Sequence, residues 1–132
     1  MVLAAAGCTT RSPAASPQTL GECRDLAAAP GRTIPPVNPM RPVMGFDPFN
    51  TFGTTFDQSL IIAIVKAMAR NGMQLAGYDY VILDDGWQGP RTRAGQITAD
   101  ARRFPCGMKR LATFVHHEGF HFGLYTSAGP RS

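Results

Sequence analysis

The sequence reads as an α/β protein: a partial (β/α)₈ barrel, its first three strands joined by two crossover helices, preceded by a disordered leader. Three observations predict this. Short apolar runs at Val43–Phe46, Tyr80–Leu83 and Phe120–Tyr125 have the length and composition of strands buried in a parallel sheet. Two stretches with apolar residues at helical spacing lie between them. The resulting β, α, β, α, β order argues for parallel strands with right-handed connections. A complete barrel needs roughly 250 residues, and this chain has 132. The expected product is therefore the first part of a barrel, with a small open α/β unit as the alternative.

Residues 1–40 are expected to form a leader and Pro/Ala-rich linker, and residues 41–132 the barrel portion. Pro30, Pro35, Pro36, Pro39 and Pro42 forbid a regular helix ahead of the first strand. After that strand Asp47-Pro48 turns the chain. Thr55-Phe56-Asp57-Gln58 fits a capping box in which the Thr55 hydroxyl takes an amide of the first turn and the Gln58 side chain reaches back, with helix onset near Asp57. Leu60, Ile61, Ile64, Val65 and Met68 then make one apolar face, and Asn71-Gly72 supplies a stop. The polar segment from Asp85 to about Cys106 has the length of a lid or binding loop, with Arg93-Ala94-Gly95-Gln96 as the tip of a small hairpin. From Gly107 a second helix puts Met108, Leu111, Ala112 and Val115 on one side and stops at Glu118-Gly119. No repeat of fixed period appears beyond the βα alternation.

The second strand ends in Asp84-Asp85-Gly86-Trp87, two adjacent carboxylates and the only tryptophan of the chain. Ligands of α/β sheets bind at such carboxyl ends. Neighbours on a strand leave on opposite faces, so one pocket takes both acids only if the chain bends there. Carboxylate oxygens accept charge-assisted hydrogen bonds and suit the hydroxyls of a sugar, which favours gripping over proton transfer. A plain Asp-Asp-Gly turn explains the same residues without any ligand. Phe46, Phe49, Trp87 and Tyr125 all stand at or beside predicted strand ends, where stacking on a sugar ring and packing in the core explain them equally well. His116 and His117 fall in a last helical turn, where the dipole favours an imidazolium, so capping is preferred over metal or catalytic roles. Ser127 lacks the setting of an activated nucleophile and is assigned no role.

The net charge of +4 owes much to Arg91, Arg93, Arg102, Arg103, Lys109 and Arg110. No recognised nucleic-acid motif or aromatic platform accompanies them, so a solvated basic face is preferred and nucleic-acid binding is rejected. Cys8, Cys23 and Cys106 show neither C-x-x-C spacing nor a His–Cys cluster, so no metal and no cofactor are expected. Cys23 and Cys106 are candidates to pair if Cys8 is otherwise engaged, although spacing alone does not bring their Cα atoms together.

Met1 to Cys8 is similar to the end of a bacterial lipoprotein signal but has a short apolar part and no basic start; an Ala-rich beginning without that meaning is the alternative. Thr9–Pro17 has the composition of an extended tether. Export to the cell surface or beyond is expected, with Cys8 as a candidate membrane tether. No run of about 18 apolar residues exists, so no spanning helix is predicted. Nothing in the sequence specifies an oligomeric state.

From about Pro42 to Gly129 the chain resembles the N-terminal part of the catalytic barrel of glycoside hydrolase family 27, the α-galactosidases and α-N-acetylgalactosaminidases. The resemblance is carried by Met44-Gly45-Phe46 with Asn50-Thr51-Phe52-Gly53, by Ala76-Gly77-Tyr78-Asp79-Tyr80 and by Asp84-Asp85-Gly86-Trp87-Gln88. Arg103-Phe104-Pro105, Gly107-Met108 and Gly123-Leu124-Tyr125 continue it in order. It implies a retaining hydrolase acting on terminal α-galactosyl residues through two aspartates, with carboxyls about 5 to 5.5 Å apart. Both of those aspartates lie on later strands in the family, so no catalytic residue is expected in this chain, and alone it should be inactive. By position, Asp84 and Asp85 would hold galactose hydroxyls while Phe49, Trp87 and Tyr125 line the pocket.

Three departures from the family pattern stand out. Phe46 and Phe49 replace tryptophans of the Met-Gly-Trp-Asn-Ser-Trp-Asn opening, which removes ring area and an indole donor and leaves the preferred sugar open. Gly86 and, approximately, Thr54 occupy the places of a common disulfide, so both halves are lost together. Tyr125-Thr126-Ser127-Ala128-Gly129 replaces Tyr-Ser-Asp-Ala-Gly, an acid become a hydroxyl. The alternative to a hydrolase segment is a noncatalytic sugar-binding or surface lipoprotein module.

Overall fold

The computed structural model describes Cys23, Leu26 and residues 31–127. The lipoprotein-like start with Cys8, the Thr9–Pro17 tract and the closing Ala128-Gly129 lie outside the described residues. The order is β1 (Gly45–Phe46), α1 (Phe49–Phe52), α2 (Gln58–Arg70), β2 (Tyr80–Leu83), α3 (Gly107–His117) and β3 (His121–Leu124). The strands form one parallel sheet in the order β1-β2-β3, with Phe46 opposite Val81 and Leu83 opposite Leu124. The alternation expected from the sequence is therefore present.

Strand alternation sorts the side chains. Val81 and Leu83 point to the helical side and are fully buried with Ile61 and Val65 of α2, Leu111 and Val115 of α3, and Phe120. Phe56 and Phe104 join this core as an edge-to-face pair, ring centroids 6.1 Å apart. On the opposite side of the sheet Tyr80 stacks on His121 at 4.6 Å. Beyond them Gly123 makes room for Ile82, whose Cγ1 would lie 3.2 Å from a Cβ there.

Helix α2 starts where expected but is capped differently. Asp57 is the N-cap, its carboxylate accepting from the Leu60 amide at 2.9 Å, while Thr55 donates to Phe52 O. Gln58 does not reach back; its Oε1 accepts from the Cys106 amide at 3.0 Å and its Nε2 donates to Cys106 Sγ at 3.0 Å. The box fails because a better partner comes from 48 residues away. The single turn α1 was not expected either: the Asp47 carboxylate takes the Phe49 amide at 2.9 Å and starts it, and Gly53 at φ 55° ends it. Val43 and Met44 stay outside the first strand, which is only two residues long.

Part of the stretch read as linker is held against the sheet's amino end. Arg32 N–H donates to His117 O at 2.8 Å, Gln74 Nε2 donates to Thr33 O at 3.1 Å, and His121 Nε2 lies 2.8 Å from Pro35 O. Cys23 and Cys106 form a disulfide, Cα atoms 5.4 Å apart, and Arg110 donates to Cys23 O at 3.1 Å. Closing a loop of that length restricts the unfolded chain by about 4.5 kcal/mol in the chain-entropy model.

Candidate sugar-binding edge

Because all three strands are parallel, their carboxyl ends meet at one edge. Strand β2 stops at Leu83, and Asp84-Asp85-Gly86 turn away from it. Asp84 Oδ1 accepts from the Asp85 amide at 2.5 Å. The Gly86 amide is shared between Asp85 Oδ1 at 3.0 Å and Gln88 Oε1 at 2.9 Å. Gly86 has φ 110°, a region L side chains rarely adopt. The chain thus bends directly after Asp84. Each carboxylate uses one oxygen to fix the turn and leaves its Oδ2 without a partner among the described residues. Asp84 is half-buried and Asp85 exposed, and neither makes an ion pair with a described residue.

Strand β3 completes the edge. The Tyr125 amide donates to Leu83 O at 2.8 Å, and the Trp87 indole N–H donates to Tyr125 O at 2.9 Å, which straps the acidic turn to β3. Trp87 is only 7% exposed and belongs to the core cluster, whereas Tyr125 is 46% exposed. Phe49, 40% exposed, opens α1 three residues past Phe46, the last residue of β1. Of the five residues singled out from the sequence, Asp84, Asp85, Trp87 and Tyr125 are joined by hydrogen bonds or chain neighbourhood. Phe49 arrives at the same edge from β1.

The long segment after the acids is a hairpin, as its tip residues suggested. Gln88 bridges Ala99 in antiparallel fashion, the Thr92 amide donates to Gln96 O at 2.9 Å, and Gly95 takes φ 79° at the tip. Its far end is organised by Asp100, whose carboxylate accepts from the Arg102 amide at 2.9 Å and pairs with Arg103 at 3.2 Å. These contacts hold the Asp100 carboxyl below its ordinary value, the Arg102 amide contributing most.

Three residues near the edge escaped the sequence reading. Arg103 donates through its guanidinium to Thr54 O, and Thr54 packs so closely on Gly86 that a Cβ there would lie 2.8 Å from Thr54 Cα. Gln58 ties its own amide to Arg103 O at 2.9 Å. Gln88 supports the turn with Oε1, while its Nε2 is buried without a partner among the described residues. The one available signal was the approximate pairing of positions 54 and 86 as a lost disulfide, and the structure does bring Thr54 and Gly86 into contact.

A parallel βα sheet with paired acids and aromatic residues at its carboxyl edge defines a segment of an α/β barrel. Residues 46–132 match the Melibiase_2 family, described as alpha galactosidase A, and the chain belongs to this family. It is 47% identical over 88 residues to alpha-galactosidase A of Cellvibrio japonicus, covering 67% of this chain and 22% of that protein. Among solved structures it is similar to alpha-galactosidase I of Mortierella vinacea, with TM-score 0.64 and 40% identity over 67% of this chain and 22% of that one. The Saccharomyces cerevisiae alpha-galactosidase with raffinose gives TM-score 0.65 and 39% identity over 67% of this chain and 20% of that one. The chain thus spans about a fifth of the length of the relatives it matches.

Proposed function

We propose that this chain supplies the galactose-gripping edge of a retaining α-galactosidase acting on terminal α-galactosyl residues. The observation that carries this reading is the joint position of Asp84 and Asp85 at the carboxyl edge, turned together at Gly86 and fastened to Tyr125 through Trp87. The Oδ2 atoms, without partners among the described residues, accept from sugar hydroxyls, where charge-assisted bonds contribute roughly 1.5–3 kcal/mol each. The Tyr125 and Phe49 rings offer apolar faces to the ring C–H groups. Trp87 contributes mainly by holding Tyr125, since its ring is buried and its N–H already engaged. The two aspartates that perform the displacement come from strands other than β1, β2 and β3, and Asp84 and Asp85 bind rather than react. Raffinose, present in the Saccharomyces structure, is a candidate substrate.

Export accompanies this reading. The Cys23–Cys106 disulfide belongs to an oxidising compartment, and a lipid on Cys8 would hold the protein at the cell surface. No helix among the described residues is long and apolar enough to cross a membrane.

Turnover of an aryl α-galactoside tests the proposal, comparing the purified 132-residue chain with a version extended through further family strands. The extended version is expected to hydrolyse the substrate and the short one to be inactive. Robust turnover by the short chain overturns the assignment of the catalytic groups. Galactose affinity without turnover in the extended version points instead to a noncatalytic sugar-binding module.

A further inference from the structure

We infer that the Cys23–Cys106 disulfide regulates the acidic edge, acting as a redox-sensitive clasp that positions the Asp84-Asp85-Gly86 turn through Gln58, Arg103 and Thr54. The inference rests on the reading of that edge as the galactose site. Cys23 precedes the residues matched to the family, whereas Cys106 stands inside them at the start of α3. From Cys106 the connection is continuous. Gln58 holds Cys106 with both ends of its amide, at 3.0 Å each, and its own N–H donates to Arg103 O at 2.9 Å. The Arg103 guanidinium, oriented by Asp100 at 3.2 Å, donates to Thr54 O. Thr54 then packs directly on Gly86, whose amide is the donor to Asp85 Oδ1.

This line of contacts ends where a disulfide would sit if positions 54 and 86 both carried cysteine. Thr54 meets Gly86 by van der Waals contact, so the support that this side adds to the turn's own hydrogen bonds and the Trp87 strap depends on what fixes Thr54 from behind. That is Arg103, and Arg103 is registered by Gln58 and the disulfide-bonded Cys106. Cys106 is half-buried, whereas Cys23 is almost fully buried, so an external thiolate has its approach on the Cys106 side. The step is a thiol–disulfide exchange with a small dithiol. Its thiolate attacks Cys106 Sγ, the Cys106–Cys23 bond breaks and Cys23 leaves as a thiolate. The second thiol of the reagent then displaces Cys106 and closes the reagent's own disulfide. Two electrons have passed to the protein sulfurs, which take up two protons, and the dithiol is oxidised. Cys106 keeps its amide bond to Gln58 but loses its tether to Cys23, and the slack in this pair reaches Thr54 and Gly86.

The test uses the full-length protein, oxidised and then reduced with dithiothreitol, with galactose titration calorimetry and amide hydrogen exchange read on both forms. Reduction is expected to weaken galactose binding about tenfold, within the usual range of coupling between two sites. It should also speed exchange at Thr54, Gly86 and Gln88 while leaving β3 amides such as Phe122 unchanged. Equal affinity and equal exchange in the two forms overturn the inference. If the oxidised protein does not bind galactose, the reading of the site fails, and exchange at Thr54 and Gly86 alone then decides the clasp. Arg103→Ala, made with the disulfide intact, should reproduce the faster exchange at Thr54 and Gly86. Unchanged exchange in that variant breaks the relay even if reduction has an effect, and Arg103→Lys should restore protection partly.

Discussion

The two ends of the same short sheet are built on opposite principles. At the amino-facing end, cationic and amide side chains donate to backbone carbonyls: Arg32 to Ala69 O, Gln74 to Thr33 O, His121 to Pro35 O. Every such bond closes a helix end or fixes the strap that brings the chain into β1, and the strap leaves a cleft of about 580 Å³ beneath Tyr80. At the carboxyl-facing end, side-chain oxygens accept from backbone amides at Asp57, Asp84, Asp85 and Asp100, and Asp84 and Asp85 each keep an oxygen without a partner among the described residues. Parallel strands explain the division, since helix amino termini gather at one end with their spare N–H groups and helix carboxyl termini at the other. One end is tied down by these bonds and serves stability. The other is acidic, and among the described residues it is partly unsatisfied.

Substitutions at the two ends should separate these roles. The largest effect is expected from Phe120→Ala, fully buried next to the amino end of β3. It should destabilise by about 4 kcal/mol in urea unfolding, with galactose affinity of the folded fraction unchanged. Asp84→Asn should do the reverse, weakening galactose binding by about 2 kcal/mol in calorimetry while the unfolding midpoint stays put. A loss of stability equal to the loss of binding there would erase the contrast between the ends. Gly86→Ala is expected to harm both properties, by about 2 kcal/mol in stability, because φ 110° is strained for alanine and its Cβ would press on Thr54.

Asp57→Ala should remove about 1 kcal/mol through the lost cap of α2. Its carboxyl sits below the ordinary 3.8, chiefly because the Leu60 amide donates to the anion. A depressed folded value means the contribution is complete above pH 3.8 and fades as pH falls through the lower folded value. The difference between Asp57→Ala and the unsubstituted chain, followed by thermal unfolding from neutral to strongly acidic pH, should therefore shrink. Arg93→Ala, on the exposed hairpin tip, should change both affinity and stability by less than about 0.5 kcal/mol. A larger drop in galactose affinity would bring the hairpin into the site.

Local pattern was enough for the elements whose cause is local. The apolar stripe of α2 and the Tyr80–Leu83 run each specify their own structure, and the Asn71-Gly72 stop lies where it was expected. What stayed hidden depends on distant partners. Gln58 fits a capping box until Cys106 arrives from 48 residues away. Trp87 looked equally suited to a sugar face or the core; the Tyr125 carbonyl, 38 residues on, takes its N–H while its ring packs inside. The strap of residues 31–44 was legible as proline-rich but not as fastened, since its anchors are carbonyls that any residue carries. The edge itself was readable because strand polarity alone puts Asp84 and Tyr125 at the same end.

That indole contact turns the protein into its own optical reporter. With one tryptophan in the chain, shielded from water and hydrogen-bonded beside the acidic turn, indole emission arises from a single well-defined place. Parting of Trp87 from Tyr125 would expose the indole and shift its emission to longer wavelength. Ligand entry or loosening of that corner can thus be followed in real time without attaching a dye.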